Sequence, residues 1–236
     1  PPAQSTMTVA MPAIAIIIPA LNAATTLEAT LGMVADSALP DVELIVVEGG
    51  SHDATPTLAA DLGATVIEAP RGRGSQMATG VSHSDAPWLF FLHADTRLEA
   101  GWDARLASFM ADPANAERAG VFHLRFDDAS PAARRLEWIA NRRSRWLGLP
   151  YGDQGLILSR PFYEALGGFE PIPIMEDVAL VRRVGRNRLV HLEGDAITDA
   201  RRYQKGGYVL RMLRNLACLT SYFIGVPPRW LVRLYG

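Results

Sequence analysis

Two groups of side chains in this sequence combine residue types and spacing that could do chemistry. In the first, His93 and Asp95 follow a strongly apolar run and are separated by one residue. Residues i and i+2 of an extended chain point the same way, so both side chains could face one ion. Mg²⁺ and Mn²⁺ bind carboxylate and diphosphate oxygens together, often with few protein ligands. The alternative is an aspartate that only caps the turn after a strand.

The second group is the adjacent pair Glu176 and Asp177, at the start of a predicted helix. The helix dipole favours carboxylates at this end of a helix, so a purely structural role would explain them. A general base is the other interpretation, and it requires a carboxylate next to the hydroxyl group whose proton it takes. The sequence leaves both interpretations open.

Two other polar segments lack what their motifs require. Gly72 and Gly74 match two glycines of a dinucleotide fingerprint, but the third is missing and the segment follows the third predicted strand. Ser51, His52 and Asp53 are consecutive, so their side chains diverge and cannot form a hydrolase triad. We expect Ser51 or Asp53 to cap the helix that follows.

Alternating apolar and helical segments predict the framework that must position these side chains. Continuous apolar runs rich in β-branched residues are typical of strands buried on both faces of a parallel sheet. They cover residues 13–18, 42–47, 64–67 and 88–92, with helices predicted over 25–35, 53–62 and 74–84. This alternation predicts an α/β fold with a doubly wound, mostly parallel sheet flanked by helices. The loops after such strands converge on one edge, where ligands bind.

The second half of the chain is less regular. Strands are predicted over residues 120–126, 154–158, 189–192 and 196–198, and helices over 131–147, 161–166, 177–184 and 206–224. We expect one domain over residues 13–236, made of a nucleotide-binding half (13–100), an acceptor half (101–202) and a C-terminal helical segment (203–236). Residues 1–12 are expected to be disordered or artificial.

Composition and charge exclude several classes of protein. The chain carries 23 basic and 25 acidic residues, whereas proteins that grip nucleic acid usually have a basic excess, so we expect no such partner. The lone Cys218 excludes an intrachain disulfide and a thiolate zinc site. The N-terminus lacks a signal-peptide pattern. Residues 216–226, the longest apolar stretch near the C-terminus, are shorter than the ~20 residues of a spanning helix. We expect a cytoplasmic protein.

The segments after the predicted strands together resemble the family-2 glycosyltransferases, which have the GT-A fold. Residues 16–22 are similar to that family's first strand and nucleotide loop, and residues 48–55 to its Asp-Gly-x-Ser-x-Asp-x-Thr segment. Residues 93–96 stand where its Asp-x-Asp metal motif belongs. The acceptor-side motifs are matched by residues 152–155, 167–169 and 175–178. The resemblance spans residues 13–202, most of the chain.

The resemblance implies an inverting, metal-dependent transfer of a sugar from a nucleoside diphosphate sugar, expected to be UDP-linked, to an acceptor hydroxyl. Asp177, preferred over the neighbouring Glu176, would be the base. Asp95 would bind Mn²⁺ or Mg²⁺. Asp153 and Gln154 would shape the acceptor or sugar pocket.

Further contacts to the donor follow from the same resemblance. Residues of the four loops would bind the nucleotide; they are Pro19, Leu21, Asn22, Glu48, Gly50, Arg71, Arg73, Gln76, His93, Ala94 and Asp95. Arg201 and Arg202, after the last predicted strand, could reach the diphosphate when a C-terminal loop closes.

Two departures and one narrower similarity qualify the resemblance. Glu48 stands where the family usually has an aspartate that contacts the base, which puts the base preference in doubt, and His93 replaces the first aspartate of the metal motif. Residues 70–77, 93–96 and 151–154 are also similar to a small bacterial subgroup associated with radical-SAM or selenium genes, whose acceptors are poorly defined.

The C-terminal segment and residues 131–147 are both rich in arginine and aromatic residues. Such helices can lie on anionic membranes, which would suit a lipid-linked acceptor at the inner face of the membrane. Packing over the sheet, or a homodimer interface, is the other interpretation.

Two alternative functions remain. A nucleotidyltransferase would be expected to carry a glycine-rich basic loop after the first strand, and this chain lacks one there. A non-catalytic nucleotide-sugar binder would not need the paired carboxylates at residues 176–177.

Overall fold

One eight-stranded sheet organises the computed structural model, which describes residues 13–235; the expectation for residues 1–12 lies outside the described residues. The strands are β1 (Ile14–Ala20), β2 (Val42–Glu48), β3 (Thr65–Glu68), β4 (Trp88–Phe91), β5 (Thr96–Leu98), β6 (Ala119–Phe126), β7 (Leu156–Ser159) and β8 (Leu189–Thr198). Their order is β3-β2-β1-β4-β7-β6-β8-β5. Four of the seven neighbouring pairs are parallel, and β7 and β5 run antiparallel to their neighbours. The predicted α/β fold with a mostly parallel sheet is confirmed.

Ten α-helices pack on this sheet in the described part of the chain. They are α1 (Ala24–Ala35), α2 (Thr55–Asp61), α3 (Arg73–Ser82), α4 (Trp102–Ala111), α5 (Pro131–Leu147), α6 (Arg160–Ala165), α7 (Glu176–Val184), α8 (Arg201–Gly206), α9 (Tyr208–Phe223) and α10 (Pro228–Tyr235). A short 3₁₀ turn, Gly152–Gln154, precedes β7.

The central strand β1 is buried along its whole length because its side chains alternate between two cores. Ile14, Ile16 and Ile18 pack with residues of α1, α2 and α4 on one face of the sheet. Ile17 packs with residues of α3, α7 and α9 on the other. Burying a side chain of this size contributes about 1.5–3 kcal/mol. The isoleucine run therefore places β1 in the middle of the sheet, and its carboxyl end in the middle of the ligand-binding edge.

Residues 13–111, the first half of the chain as the structure describes it, contain one strand and one α-helix that the sequence did not predict. The predicted strands and helices of this half are present within two residues of their expected bounds. The additional elements are the strand β5 and the helix α4. β5 has only three residues, too few to show a period of two, and it is held by pairing with β8, about a hundred residues away along the chain.

In the second half one strand prediction was wrong, and one strand begins two residues later than predicted. β8 is one strand where two were predicted, because its middle stays beside β6 across a bulge. β7 begins at Leu156, since Gln154 belongs to the 3₁₀ turn. The helix predicted over residues 206–224 is present as α9, and two helices that were not predicted, α8 and α10, precede and follow it. Gly207, at φ +75°, separates α8 from α9, and Gly225, at φ +89°, follows α9.

Candidate active site

A cleft of about 800 Å³ opens at the carboxyl ends of the parallel strands, a volume typical of small-molecule sites, which span about 300–1,000 Å³. Nine of the eleven residues predicted to bind a nucleotide line it; they are Pro19, Leu21, Asn22, Arg71, Arg73, Gln76, His93, Ala94 and Asp95. Arg201, Arg202 and Lys205 of α8 line the same cleft. The fold thus brings the loops after β1, β3 and β4 together with a basic helix.

The loops after β1 and β2 are joined through Asn22, which has a left-handed backbone (φ +50°). Its N–H donates to Ser51 Oγ at 2.8 Å, and its Oδ1 accepts from the His52 N–H at 2.9 Å. Asp53 accepts hydrogen bonds from the backbone of both Ala24 and Thr55. The prediction that Ser51 or Asp53 is the N-cap of α2 was therefore wrong: these side chains fasten the two loops to each other, and the N-cap residue is Ala54.

Glu48 and Gly50 are the two predicted nucleotide-binding residues that do not line the cleft. The Glu48 carboxylate accepts the N–H groups of Gly50 and Ser51 at 2.8 and 2.6 Å. Burial opposes ionisation of Glu48, but the hydrogen bonds from Ser51 and Gly50 outweigh it and lower the pKa of this side chain. Gly50, at φ +91°, allows the loop to fold back over its own strand end. Glu48 is thus engaged in shaping its own loop.

Gln76 lies at the cleft but is held by the backbone. Its amide nitrogen donates to the carbonyl oxygens of Ala20, at 2.9 Å, and Val47, at 2.7 Å. These are the ends of β1 and β2, so the side chain fastens the two strands at the edge where the ligand loops begin. Its contribution to the site is therefore to hold the loops in place.

A smaller cavity of about 90 Å³ adjoins the cleft. The two share Arg73, His93, Asp95, Asp199 and Arg202 as lining residues. Its other polar walls come from the 3₁₀ turn, from α7, and from α8 and α9. A ligand in the large cleft and a second ligand in the small cavity would therefore meet at the shared wall that contains Asp95.

Asp177 is the α7 carboxylate that faces this small cavity. Its Oδ2 accepts the Gly152 N–H at 2.8 Å, and its Oδ1 accepts the Val178 N–H at 2.7 Å. The helix begins immediately after Met175, which has a left-handed backbone (φ +67°), rare for a residue with a side chain. This turn and the two hydrogen bonds fix the carboxylate at the cavity wall.

Glu176 lies on the other side of the helix start. It has no exposed surface, and its Oε1 lies 2.9 Å from Arg73 Nε in an ion pair. Neither of its carboxylate oxygens has an aligned hydrogen-bond donor among residues 13–235. Burial raises the pKa of Glu176 to about 7, despite the attraction of Arg73. The two adjacent carboxylates thus have different surroundings, and only Asp177 faces the cavity.

Asp153 and Gln154 are adjacent in the 3₁₀ turn, but their side chains have different surroundings. Asp153 lines the small cavity, and burial raises its pKa to about 6 although Arg143 attracts its charged form. Gln154 is fully buried, and its amide nitrogen donates to the Phe122 carbonyl at 2.9 Å. Asp153 is therefore placed where a substrate could meet it, whereas Gln154 supports the turn from behind.

His93 and Asp95 both line the shared wall. The expectation of an extended chain between them was wrong, because Ala94 and Asp95 lie in a turn. Burial and the charge of Arg73 lower the pKa of His93 to about 3, so its imidazole is neutral. Burial raises the pKa of Asp95, although Arg202 attracts its charged form. A cation near Asp95 would relieve this burial cost, so the carboxylate fits a divalent ion.

The protein alone supplies few ligands for such an ion. Within residues 13–235, no three His, Cys, Asp or Glu side chains are grouped so as to hold a metal. An ion at Asp95 would therefore need oxygen atoms from a ligand, as hard cations commonly take from phosphates.

The sequence analysis predicted Arg201 and Arg202 of α8 but missed further residues that α8 and α9 contribute. Tyr203, Arg211 and Asn215 line the small cavity together with Asp199. Arg211 and Asn215 are four residues apart, so they lie on one face of α9. This spacing was available as a signal, but nothing in the sequence indicated that this face turns toward the site. Arg201 pairs with Asp199 at 2.6 Å, and Arg202 reaches both cavities.

Comparison with known proteins adds independent findings. Residues 15–163 match the model of the family described as Glycosyl transferase family 2. One similar protein is the PGL/p-HBAD biosynthesis glycosyltransferase of Mycobacterium bovis (strain BCG / Pasteur 1173P2), which is 39% identical over 111 residues. The match covers 44% of this chain and 43% of that relative, so this chain aligns with less than half of the relative's length.

Solved structures resemble the chain over most of its length. The mannosyltransferase PcManGT from Pyrobaculum calidifontis, in complex with GDP-Man and Mn²⁺, has a TM-score of 0.64 at 19% identity and covers 94% of this chain and 67% of its own. Glucosyl-3-phosphoglycerate synthase from Mycobacterium tuberculosis, with Mn²⁺, UDP and glucosyl-3-phosphoglycerate, has a TM-score of 0.55 at 19% identity, over 80% of this chain and 70% of its own. At this identity the likeness concerns the fold, and it confirms the GT-A-like architecture.

Proposed function

The chain belongs to glycosyl transferase family 2, and on that basis we propose that it transfers a sugar, with inversion, from a nucleoside diphosphate sugar to an acceptor hydroxyl. The donor is UDP-linked in this proposal. The observation that carries it is the position of Asp177 in a small cavity whose wall, at Asp95, is shared with a cleft large enough for a nucleotide.

In this proposal the donor occupies the large cleft. Arg71, Arg73 and Arg202 line the cleft, and guanidinium groups bind phosphate oxygens in pairs of parallel hydrogen bonds. Asp95 would hold Mn²⁺ or Mg²⁺, which when bound supplies positive charge to the leaving diphosphate. His93 is neutral and contributes a hydrogen-bonding group at the same wall.

The acceptor occupies the small cavity. Its hydroxyl oxygen attacks the anomeric carbon, the bond from that carbon to the diphosphate oxygen breaks, and Asp177 takes the hydroxyl proton. The hydrogen bonds from Gly152 and Val178 orient the Asp177 carboxylate before the acceptor arrives. A base held in this way acts without the cost of reorienting during the reaction. Asp153, Arg211 and Asn215 would bind the rest of the acceptor.

The proposal also includes several more specific features of the protein. They are a lipid-linked acceptor, the similarity to the radical-SAM or selenium-associated subgroup, the division into halves at residues 100 and 202, and a cytoplasmic location. The basic and apolar surface of the C-terminal helices supports the first of them.

The test is an assay of the full chain with Mn²⁺ and a panel of UDP- and GDP-sugars, with and without a chelator. We expect release of a nucleoside diphosphate from one donor, and loss of that release when the chelator is added. Release of pyrophosphate when a nucleoside triphosphate and a sugar 1-phosphate replace the donor would identify a nucleotidyltransferase instead. Donor binding without any turnover, with a panel of hydroxyl acceptors present, would identify a non-catalytic binder.

A further inference from the structure

The exposed large hydrophobic residues of the described chain are confined to one region. All of them lie in α5 or between the start of α9 and the end of α10; they are Trp138, Ile139, Trp146, Leu147, Val209, Leu210, Leu213, Leu216, Phe223, Ile224, Trp230, Val232 and Leu234. α9 packs against both α5 and α10. Exposed apolar residues that are scattered singly need no explanation, but a contiguous group of them marks an interaction surface.

The same helices carry a concentrated positive charge. Residues 207–236, which contain α9 and α10, have four basic and no acidic residues, although the whole chain has 23 basic and 25 acidic residues. Of the four, Arg211 lines the small cavity. α5 adds five arginines against one glutamate. We use the term docking face for the exposed apolar and basic residues of α5, α9 and α10.

Arginine and tryptophan are in direct contact on this docking face. The Arg142 guanidinium lies over the rings of Trp138 and Trp146, at 4.1 and 4.5 Å from their centroids. Arg233 lies 5.6 Å from the Trp230 ring centroid. Tryptophan is favoured where an apolar phase meets water, and arginine beside it can reach anionic headgroups.

We propose that the docking face binds the surface of an anionic lipid bilayer. A second copy of the chain is disfavoured as the occupant, because pairing two docking faces would bring like charges together. An anionic bilayer offers negatively charged headgroups to the basic residues of this face and an apolar layer to its exposed hydrophobic residues. No helix within residues 13–235 has the length and apolar character to cross a membrane, so the proposed contact lies in the plane of the bilayer surface.

The position of α9 connects this surface with the candidate site. Arg211 and Asn215 line the small cavity, whereas Leu210, Leu213 and Leu216 of the same helix are exposed. The cavity and the bilayer would thus be separated by about one helix diameter, ~10 Å. If the proposed function holds, the acceptor hydroxyl would sit close to the lipid headgroups; the docking itself does not depend on the transfer reaction.

The experiment is co-sedimentation of the full chain with vesicles of phosphatidylcholine alone or with about 30% phosphatidylglycerol, the anionic charge being what attracts basic residues. We expect binding to the anionic vesicles, a blue shift of tryptophan fluorescence, and release at high salt because screening weakens the attraction. Absence of sedimentation with anionic vesicles, or equal binding to neutral vesicles, would overturn the proposal.

Two variants test which residues carry the binding. Arg229→Glu should weaken partitioning by at least about fivefold, since each basic residue near an anionic surface contributes about 1 kcal/mol. Leu210→Ser combined with Leu213→Ser should weaken it similarly. Arg118→Glu makes the same charge change at an exposed arginine before β6, outside the docking face, and should bind as the parent does. Parental binding by both docking-face variants would refute the assignment.

Light scattering on the same samples measures self-association. A dimer that the Leu210→Ser and Leu213→Ser changes dissociate, together with no vesicle binding by the parent, would assign the docking face to a second copy and overturn the proposal. Donor turnover in vesicle-free buffer should be unchanged in these variants. It reports on the proposed function separately from the docking.

Discussion

Arg73 of α3 and Glu176 of α7 form an ion pair with 2.9 Å between Nε and Oε1. The pair joins the helix that follows the cleft loop after β3 to the helix that carries Asp177. Glu176 is completely buried, whereas the Arg73 side chain is 32% exposed and lines both cavities. A residue that could bind donor phosphates is therefore connected, through one buried carboxylate, to the start of the helix that holds the proposed base.

Glu176 should make stability depend on pH. Burial raises its pKa to about 7 in the folded chain, and that of Asp153 to about 6. The folded chain thus keeps these protons to higher pH than the unfolded chain does, so their contribution to stability is complete below about pH 4 and is lost as the pH rises to about 7. Glu176→Gln should remove the Glu176 part of this decline, on the order of 1–3 kcal/mol.

Urea unfolding of the parent and the variant at several pH values measures this effect. Glu28→Gln, which changes an exposed glutamate of α1, is the matched control and should leave the pH dependence unchanged. An undiminished pH dependence in Glu176→Gln would show that Glu176 is not the group that titrates.

Asp95→Asn should abolish the effect of Mn²⁺ on nucleotide binding. In the parent, we expect Mn²⁺ to tighten UDP binding at least about tenfold, as a bound ion that bridges carboxylate and diphosphate oxygens would. Titration calorimetry with and without Mn²⁺ measures both affinities. Asp85→Asn, at an exposed aspartate before β4, should retain the Mn²⁺ effect. Retention of the effect in Asp95→Asn would place the ion elsewhere.

Two glycines in helices should respond in opposite ways to alanine. A Cβ on Gly74 would collide with the backbone oxygen of Glu170 in the loop before α7, so Gly74→Ala should destabilise the chain by about 1–3 kcal/mol. A Cβ on Gly32 of α1 would meet no atom within 4 Å, and Gly32→Ala should stabilise by about 0.4–1 kcal/mol. Thermal unfolding compares the two variants; equal melting temperatures would contradict this close contact.

Substitutions of Arg202 and of Arg211 should affect different steps, the first the binding of the donor and the second the binding of the acceptor. Arg202 lines both cavities, and Arg211 lines only the small one. Arg202→Gln should weaken UDP binding about tenfold, because hydrogen bonds to charged groups contribute about 1.5–3 kcal/mol. Arg211→Gln should leave UDP affinity unchanged and lower the rate of transfer. Calorimetry with UDP distinguishes them, and similar losses of UDP affinity in both variants would disprove the division into donor and acceptor cavities.

The sequence predicted the ligand-binding edge well because its physical signals are local. Runs such as residues 13–18 are apolar at every position since both faces of the strand are buried, and the loops after them carry the polar residues. His93 and Asp95 reach the same wall, but the extended chain expected between them was wrong, because Ala94 and Asp95 form a turn closed by a hydrogen bond from the Thr96 N–H to the His93 carbonyl oxygen.

Features that depend on contacts between distant segments could not be predicted. The sequence around Glu48 does not show that the backbone of its own loop binds its carboxylate. The sequence around Glu176 does not indicate that Arg73 is its partner. The sequence predicted the helix α9, but it did not indicate that the face carrying Arg211 borders the cavity. The roles of all these side chains in transfer remain predictions.

The rate of sugar transfer by Asp177→Asn tests the central claim most directly. We predict that kcat for transfer falls at least about 100-fold, the usual contribution of a general base, while UDP affinity and the unfolding midpoint stay close to those of the parent. Asp36→Asn, at an exposed aspartate after α1, should transfer as the parent does. Transfer by Asp177→Asn at the parental rate would contradict the assignment of Asp177 as the base, and with it this account of the site.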